Sequence, residues 1–370
     1  MDRRNFLKST SAAALGFGTP TLAAATAAKA ADDAHALAAP HIVGKRRTLR
    51  MVNLWPDRVS GPADHIHRLM KRMEAATDGR WVIDIDETPV TGADAYKAVM
   101  TAEADLYAGH EHAHRALHPA FSYFAGLPCG TGMDIAHFDA WLTAAGGQEL
   151  WDELAGEFNM KGLAIGYSGA GNGLDTRMPV TTRADLRDKR IAVSGLAADI
   201  LAAVDARPVE SVTTHLLEVI GDTSLDGIEL HGPALWRTRQ QAEALDATFP
   251  HRLLPSLSDT GHAITLGLRR SFWDGLTTSE RIMVSAIARE ALATSRAEII
   301  AAERALDQIT DTAIRTPAHK RPPQWDALAG EFNRIATAIV ADLSGKDEHC
   351  ARINASYMAF KGHPHVPAHV

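Results

Sequence analysis

A chain of 370 residues, 46% hydrophobic and 22% charged, has ordinary globular composition, which excludes collagenous, disordered and disulfide-scaffold architectures and leaves room for two lobes. Two cysteines, Cys129 and Cys350, permit at most one bridge and no cysteine-rich zinc module. The formal charge is -7, and the first thirty residues are net basic, so the remainder is more acidic still; nucleic acid and anionic membrane are therefore poor partners.

Residues 1–30 read as an export address. Asp2-Arg3-Arg4-Asn5-Phe6-Leu7-Lys8 precedes an uncharged, Ala-rich stretch broken by Gly16, Gly18 and Pro20, and closes on Ala28-Lys29-Ala30. That pattern resembles a twin-arginine signal peptide more than a membrane anchor, so the mature chain is expected to start near Ala31 in a bacterial periplasm. Residues 31–47 lack apolar periodicity and read as a tether. A buried strand is expected at Leu49 to Trp55, a helix opened by Gly61-Pro62 and stopped at Asp78-Gly79, and a strand through Trp81, Ile83 and Ile85. The alternation continues with a helix at 93–103, a strand at 104–109, helices at 134–158 and a strand at 162–167, which makes lobe I, residues 48–168, α/β. Strands at 190–193 and 227–230 around helices at 196–204 and 215–220 predict a second α/β lobe, 169–261, followed by a hinge strand over 262–276. Thr277 and Glu280 form a capping-box pattern, and no Gly or Pro interrupts the chain from there to Ile309. A helix of about 50 Å follows, expected to straddle both lobes at the head of a helical segment, 277–360, before a tail at 361–370.

Catalytic signatures are missing. There is no Gly-x-Ser-x-Gly elbow, no His-Glu-x-x-His pair and no phosphate loop. Tyr167-Ser168-Gly169-Ala170-Gly171-Asn172-Gly173 lacks dinucleotide spacing. The unusual count is eighteen histidines, grouped as His110, His112 and His114 and as His363, His365 and His369, the latter reading as solvated tail. If Gly109 to Arg115 is extended, the first trio shares one side and Glu111 the other. Three such imidazoles suit direct solute contact, a Zn²⁺ or Cu²⁺ ion, or a structural role.

Several stretches in order resemble the solute receptors of tripartite ATP-independent periplasmic (TRAP) transporters, notably the branch that binds 2-oxo and hydroxy acids. They are Trp55-Pro56, Gly109-His110, Pro119-Ala120-Phe121, Gly146-Gly147-Gln148-Glu149-Leu150-Trp151-Asp152-Glu153-Leu154, Arg177 before Asp185-Leu186, Asp226 with Glu229, Gly232-Pro233 and Ser356-Tyr357-Met358-Ala359-Phe360. The resemblance implies a two-lobed periplasmic binding protein with crossing hinge strands and a long C-terminal helix. It implies a small polar or anionic organic solute, membrane permease subunits as partners, no enzymatic activity, and leaves a homodimer open. The rival is an exported metal-binding protein or metalloenzyme on the same scaffold.

Residue by residue, the resemblance places Trp55, His110, His112, His114, Arg115, Asn172, Arg190, Glu229, His231 and Asp259 at the cleft. The arginine that forks onto ligand carboxylate in these receptors aligns with Ala192. Arg190, two residues earlier, is either its substitute or a solvated strand-edge charge. Glu229 and Asp259 align with the acidic residues that hold a hard cation, Ca²⁺ or Na⁺, in that branch; otherwise Glu229 is a hydrogen-bonded cleft carboxylate. Trp55 is read as cleft edge or core, and Cys129, at an expected crossover, as a small buried hydrophobe.

Overall fold

In the computed structural model, the described residues are 46–55, 61–86, 88, 91–210, 216–232, 239–253, 256–258, 260–309 and 323–362. The chain starts with β1 (Arg47–Asn53), α1 (Pro62–Ala76), β2 (Trp81–Asp86), α2 (Gly92–Met100) and β3 (Leu106–Gly109). The first helix forms because Pro62 pre-sets its opening turn and because Ile66, Leu69, Met70 and Met73 lie on one face, where all four are buried. It stops at Asp78 and Gly79, both at positive φ. Two helices, α3 (Ile135–Ala144) and α4 (Gly147–Glu157), lead to β4 (Met160–Tyr167).

The second lobe follows as β5 (Gly171–Thr176), β6 (Arg190–Val193), α5 (Ala197–Ala203), β7 (Arg207–Glu210), α6 (Leu216–Gly221), β8 (Gly227–His231), α7 (Arg239–Thr248) and β9 (His251–Leu253). The chain then returns through β10 (Ala263–Arg269) to α8 (Thr278–Ile309), α9 (Pro323–Ser344) and α10 (Glu348–Gly362).

Two five-stranded sheets result, ordered β2-β1-β3-β10-β4 and β7-β6-β8-β5-β9. In the first, β1 runs parallel to β2 and β3 while β10 is antiparallel to β3 and β4. In the second, β6 is parallel to β7 and β8, and β5 is antiparallel to β8 and β9. The segment expected as a hinge strand is therefore the inner strand β10 of the first sheet plus a short helix, Arg270–Asp274. The chain crosses between lobes at Ser168 and at His262, where Ser168 N–H donates to the His262 carbonyl at 2.8 Å.

The capping box at Thr277 forms as expected: Glu280 N–H donates to Thr277 Oγ1 at 3.2 Å, and Glu280 Oε2 accepts from Thr277 N–H at 2.8 Å. The long helix α8 is present, but its main packing is on lobe I, against β4 and α1. The helix whose buried residues divide between lobes is α9. Its first half, Leu328, Phe332, Ile335 and Ala336, joins the second-lobe core, and Val340 and Leu343 join the first. How much of each lobe a helix covers depends on where its apolar face points as well as on its length.

The motifs that carried the resemblance are largely core. Trp151, Trp141 and Phe124 stack with ring centroids 5.0 and 5.5 Å apart, and Tyr357 Oη accepts from Met133 N–H at 2.8 Å. Cys129 and Cys350 are buried and not disulfide-bonded. In mid-β10, a Cβ at Gly267 would fall inside the Tyr107 ring across the β3 pairing, and the Tyr107 hydroxyl is anchored on Glu111. Gly267→Ala should therefore lower unfolding stability by about 1–3 kcal/mol through overpacking. Urea denaturation checks this, and a variant as stable as the parent would refute that packing.

Candidate functional site

The site lies where the C-terminal ends of the parallel strands in both sheets face each other, the usual place for ligands in open α/β sheets. After β3 the chain enters a 3₁₀ turn, Glu111–His114, instead of continuing extended. A 3₁₀ turn has three residues per turn, so positions i and i+3 share a side. Glu111 and His114 therefore both point into the lobe I core, each about 1% exposed, with His114 Nε2 and Glu111 Oε1 4.0 Å apart. The His114 ring packs on Tyr96 and Tyr107, at 4.0 and 5.2 Å between centroids. The expected trio on one side is thus corrected: His114 leaves the cleft, and His110 and His112 remain.

Those two rings stack at 5.1 Å, and His262, just before β10, sits 5.6 and 5.0 Å from them. His231, at the end of β8, lies 4.4 Å from His262. Trp55 meets His110 edge-on at 5.0 Å while itself only 5% exposed, so it is both core and cleft wall. His110 Nδ1 bonds the Ala263 carbonyl at 2.9 Å. Burial holds the His110 imidazole down to about 4, and it holds His112 and His262 well below the ordinary value. Mutual repulsion among the rings adds to burial at His112 and His262. His110, His112 and His262 are consequently neutral at neutral pH. His262 was missed from sequence, although Gly261-His262 repeats Gly109-His110 and was a legible signal.

Across the cleft, Arg115 forks onto Asp199 of α5 at 2.7 and 2.9 Å and donates to the Gly195 carbonyl at 3.1 Å. A Cβ at Gly195 would lie 3.4 Å from His112 Cβ. The lobes are therefore in contact, and Arg115 serves this closure. Arg190 is not a carboxylate anchor. It opens β6 at the end away from the cleft, about 10 Å of strand from Val193, with an exposed side chain and its N–H on Asp226. Ala192 is buried among Ile220, Leu225, Ile228 and Leu230, where an arginine would have no room.

Glu229, 2% exposed on β8, is fixed by a Ser-Leu-Ser segment. Its Oε1 accepts from Ser256 Oγ at 2.6 Å, Leu257 N–H at 2.7 Å and Ser258 N–H at 3.1 Å, and its Oε2 from Ser258 Oγ at 3.2 Å. Burial pushes its carboxyl up despite these donors. No ion pair involves it among the described residues. The side chain of Asn172, on β5, and all of Asp259 lie outside the described residues, as do residues 31–45 of the expected tether, whose last residue, Arg47, instead opens β1, and His363, His365 and His369.

Two α/β lobes with paired crossing segments, closed over a polar floor, define a periplasmic binding protein. The chain belongs to the bacterial extracellular solute-binding proteins, family 7 (DctP), whose profile matches residues 63–324. It is an extracytoplasmic solute receptor of the TRAP type, a class that works with membrane permease subunits. Among similar solved structures is a TRAP periplasmic solute-binding protein from Pseudoalteromonas atlantica T6c with bound sodium and pyruvate: 19% identical, TM-score 0.72, covering 86% of this chain and 94% of that one. A second, from Colwellia psychrerythraea with calcium and pyruvate, is 16% identical, TM-score 0.70, covering 86% and 95%. A third, from Bordetella bronchiseptica RB50, is a mixed-occupancy dimer with copurified calcium and picolinate, 18% identical, TM-score 0.73, covering 86% and 93%. No described helix is long and apolar enough to cross a membrane.

Proposed function

We propose that this receptor captures a small organic acid whose oxygens are held through a hard cation, Ca²⁺ or Na⁺, beside Glu229, and that it binds without chemical turnover. The observation that carries this is Glu229 itself: a buried carboxylate at the junction of closed lobes with no Lys or Arg partner among the described residues. A buried charge needs compensation. Its Oε2, with one long hydrogen bond, retains a lone pair suited to an oxygen-seeking ion, and Asp259, next in sequence to Ser258, is the acid expected to complete the set. The calcium and sodium bound by the similar structures support the same reading. Because Ala192 replaces the forked arginine and Arg115 is spent on Asp199, the cation supplies the positive charge an organic acid requires.

A binding role agrees with how the hydroxyls and thiols are used. Ser168 Oγ accepts from His262 N–H and donates to the Gly169 carbonyl, and the Cys129 thiol donates to the Leu257 carbonyl at 3.2 Å. Neither is poised as a nucleophile. Ligand seen by only the closed native form stabilises by mass action, about 2.7 kcal/mol at a hundredfold excess over Kd. A panel of 2-oxo, hydroxy and aromatic acids, read by melting temperature with Ca²⁺, with Na⁺ and with chelator, is expected to give cation-dependent upward shifts. A panel with no shift, combined with a native mass spectrum showing an empty cleft, would refute the proposal.

A further inference from the structure

The histidine cluster is built for more than packing. Buried polar nitrogens are normally hydrogen-bonded, yet His112 Nδ1 and both ring nitrogens of His262, 4% exposed, meet no hydrogen bond of good geometry. The backbone of Ala125 is a weak polar neighbour of the His262 ring. The rings come from both lobes and from the crossing segment between them. We propose that His110, His112, His231 and His262 bind a borderline divalent cation of the Zn²⁺, Cu²⁺ or Ni²⁺ class, at a site distinct in its donors from the oxygens of Glu229.

Ring centroids agree, although as they stand no three of these histidines bring ligand nitrogens within 4.8 Å of one another, so the rings must reorient to converge on an ion. Two imidazoles on one ion, with nitrogens at about 2.1 Å, have centroids about 4.6 Å apart at a right angle and about 5.3 Å apart at the tetrahedral angle. The observed centroid distances run from 4.4 to 5.6 Å. His110 already has the outer contact that orients a metal-ligating histidine: Nδ1 donates to the Ala263 carbonyl, which leaves the Nε2 lone pair for the ion. His110 and His112 are stacked only 21° from parallel, so the His112 ring must turn about its Cβ–Cγ bond to share an ion with His110. Its Nδ1 has no hydrogen bond to lose in doing so. Neutral imidazoles suit borderline ions, whereas hard cations favour oxygen. Because His112 and His231 belong to opposite lobes, the ion would also bias the receptor toward closure.

A tighter group elsewhere, His118, Asp347 and Cys350, has ligand atoms within 4.8 Å of one another but needs no ion. Asp347 Oδ1 caps α10 by accepting from Cys350 N–H at 2.8 Å. His118 Nδ1 accepts from Ala120 N–H, so its Nε2 carries the proton that faces Asp347.

The test is calorimetric titration of the metal-stripped full chain with Zn²⁺ at pH 7.5 in saturating Ca²⁺, in a background with His363, His365 and His369 changed to alanine. One equivalent should bind, at least about tenfold more weakly in His112→Gln and in His262→Gln. His137→Gln, exposed and paired with Asp134, should leave the isotherm unchanged. If His262→Gln fails to fold, His112→Gln carries the test, with loss of nitrogen coupling in the spectrum of Cu²⁺-loaded protein as second readout. Absence of Zn²⁺ binding, equal affinity in His112→Gln, or abolition by Ca²⁺ would overturn the proposal. Zn²⁺ binding retained alongside silence to every organic acid would count against the organic-acid reading alone.

Discussion

Acidification from pH 6.5 to 4.5 is expected to unfold the ligand-free protein over a narrow range. His110, His112, His114 and His262 are all held neutral by burial, His110 down to about 4 and His114 to about 3. A group whose folded pKa is depressed contributes stability that is present above its unfolded pKa, near 6.5, and lost as pH falls toward the folded value. Glu111 acts in the opposite sense. Burial raises its carboxyl to about 7, only partly offset by the Tyr107 hydroxyl and by Trp151 and Thr265 facing it. It therefore favours the folded state below its unfolded value, and that contribution is lost as pH rises toward 7. Burial also lowers His65 on α1 and raises Glu229, so five imidazoles against two carboxyls leave a net uptake of about three protons on unfolding, a slope of about 4 kcal/mol per pH unit. Two units consume most of a typical domain stability of roughly 5–15 kcal/mol. Urea midpoints measured at half-unit intervals test this, and His114→Phe should flatten the slope by about one proton. A stability profile flat between pH 6.5 and 4.5 would show that the rings are solvated.

Glu229→Gln should separate binding from stability. The amide oxygen can still accept from Ser256 and from the Leu257 and Ser258 N–H groups, while the new NH₂ faces Ser258 Oγ, which can accept. The hydrogen bonds survive and an uncompensated buried charge disappears, so the melting temperature should hold or rise at pH 7.5. Cation-dependent solute binding should weaken at least about thirtyfold, in line with about 2–5 kcal/mol for removing one partner of a buried charge pair. Glu229→Ala, which strands the three donors on Oε1, should lose both binding and stability. Undiminished solute affinity in Glu229→Gln would return this residue to a structural role.

Much of the fold was readable from local pattern. Continuous apolar runs such as Gly162–Tyr167, the Pro62 start and the Thr277 capping box depend on residues within one turn or strand of each other, and each formed where expected. The motifs resembling the receptor family were also informative about architecture, because Trp151 and Tyr357 fill a core that any sequence with this fold must fill. What local pattern could not decide was direction and partnership. Whether Gly109 to Arg115 is extended or a 3₁₀ turn differs little in local propensity. It was settled by the core contacts open to His114 and Glu111, which turned one histidine inward. Arg190 reads the same whichever end of its strand faces the cleft; only the parallel arrangement of β6 and β8 put it at the far end. His262 joined His110, His112 and His231 because β10 returns from the second lobe into the first sheet. That contact, across 152 residues of chain, is made by sheet topology and has no counterpart in sequence spacing.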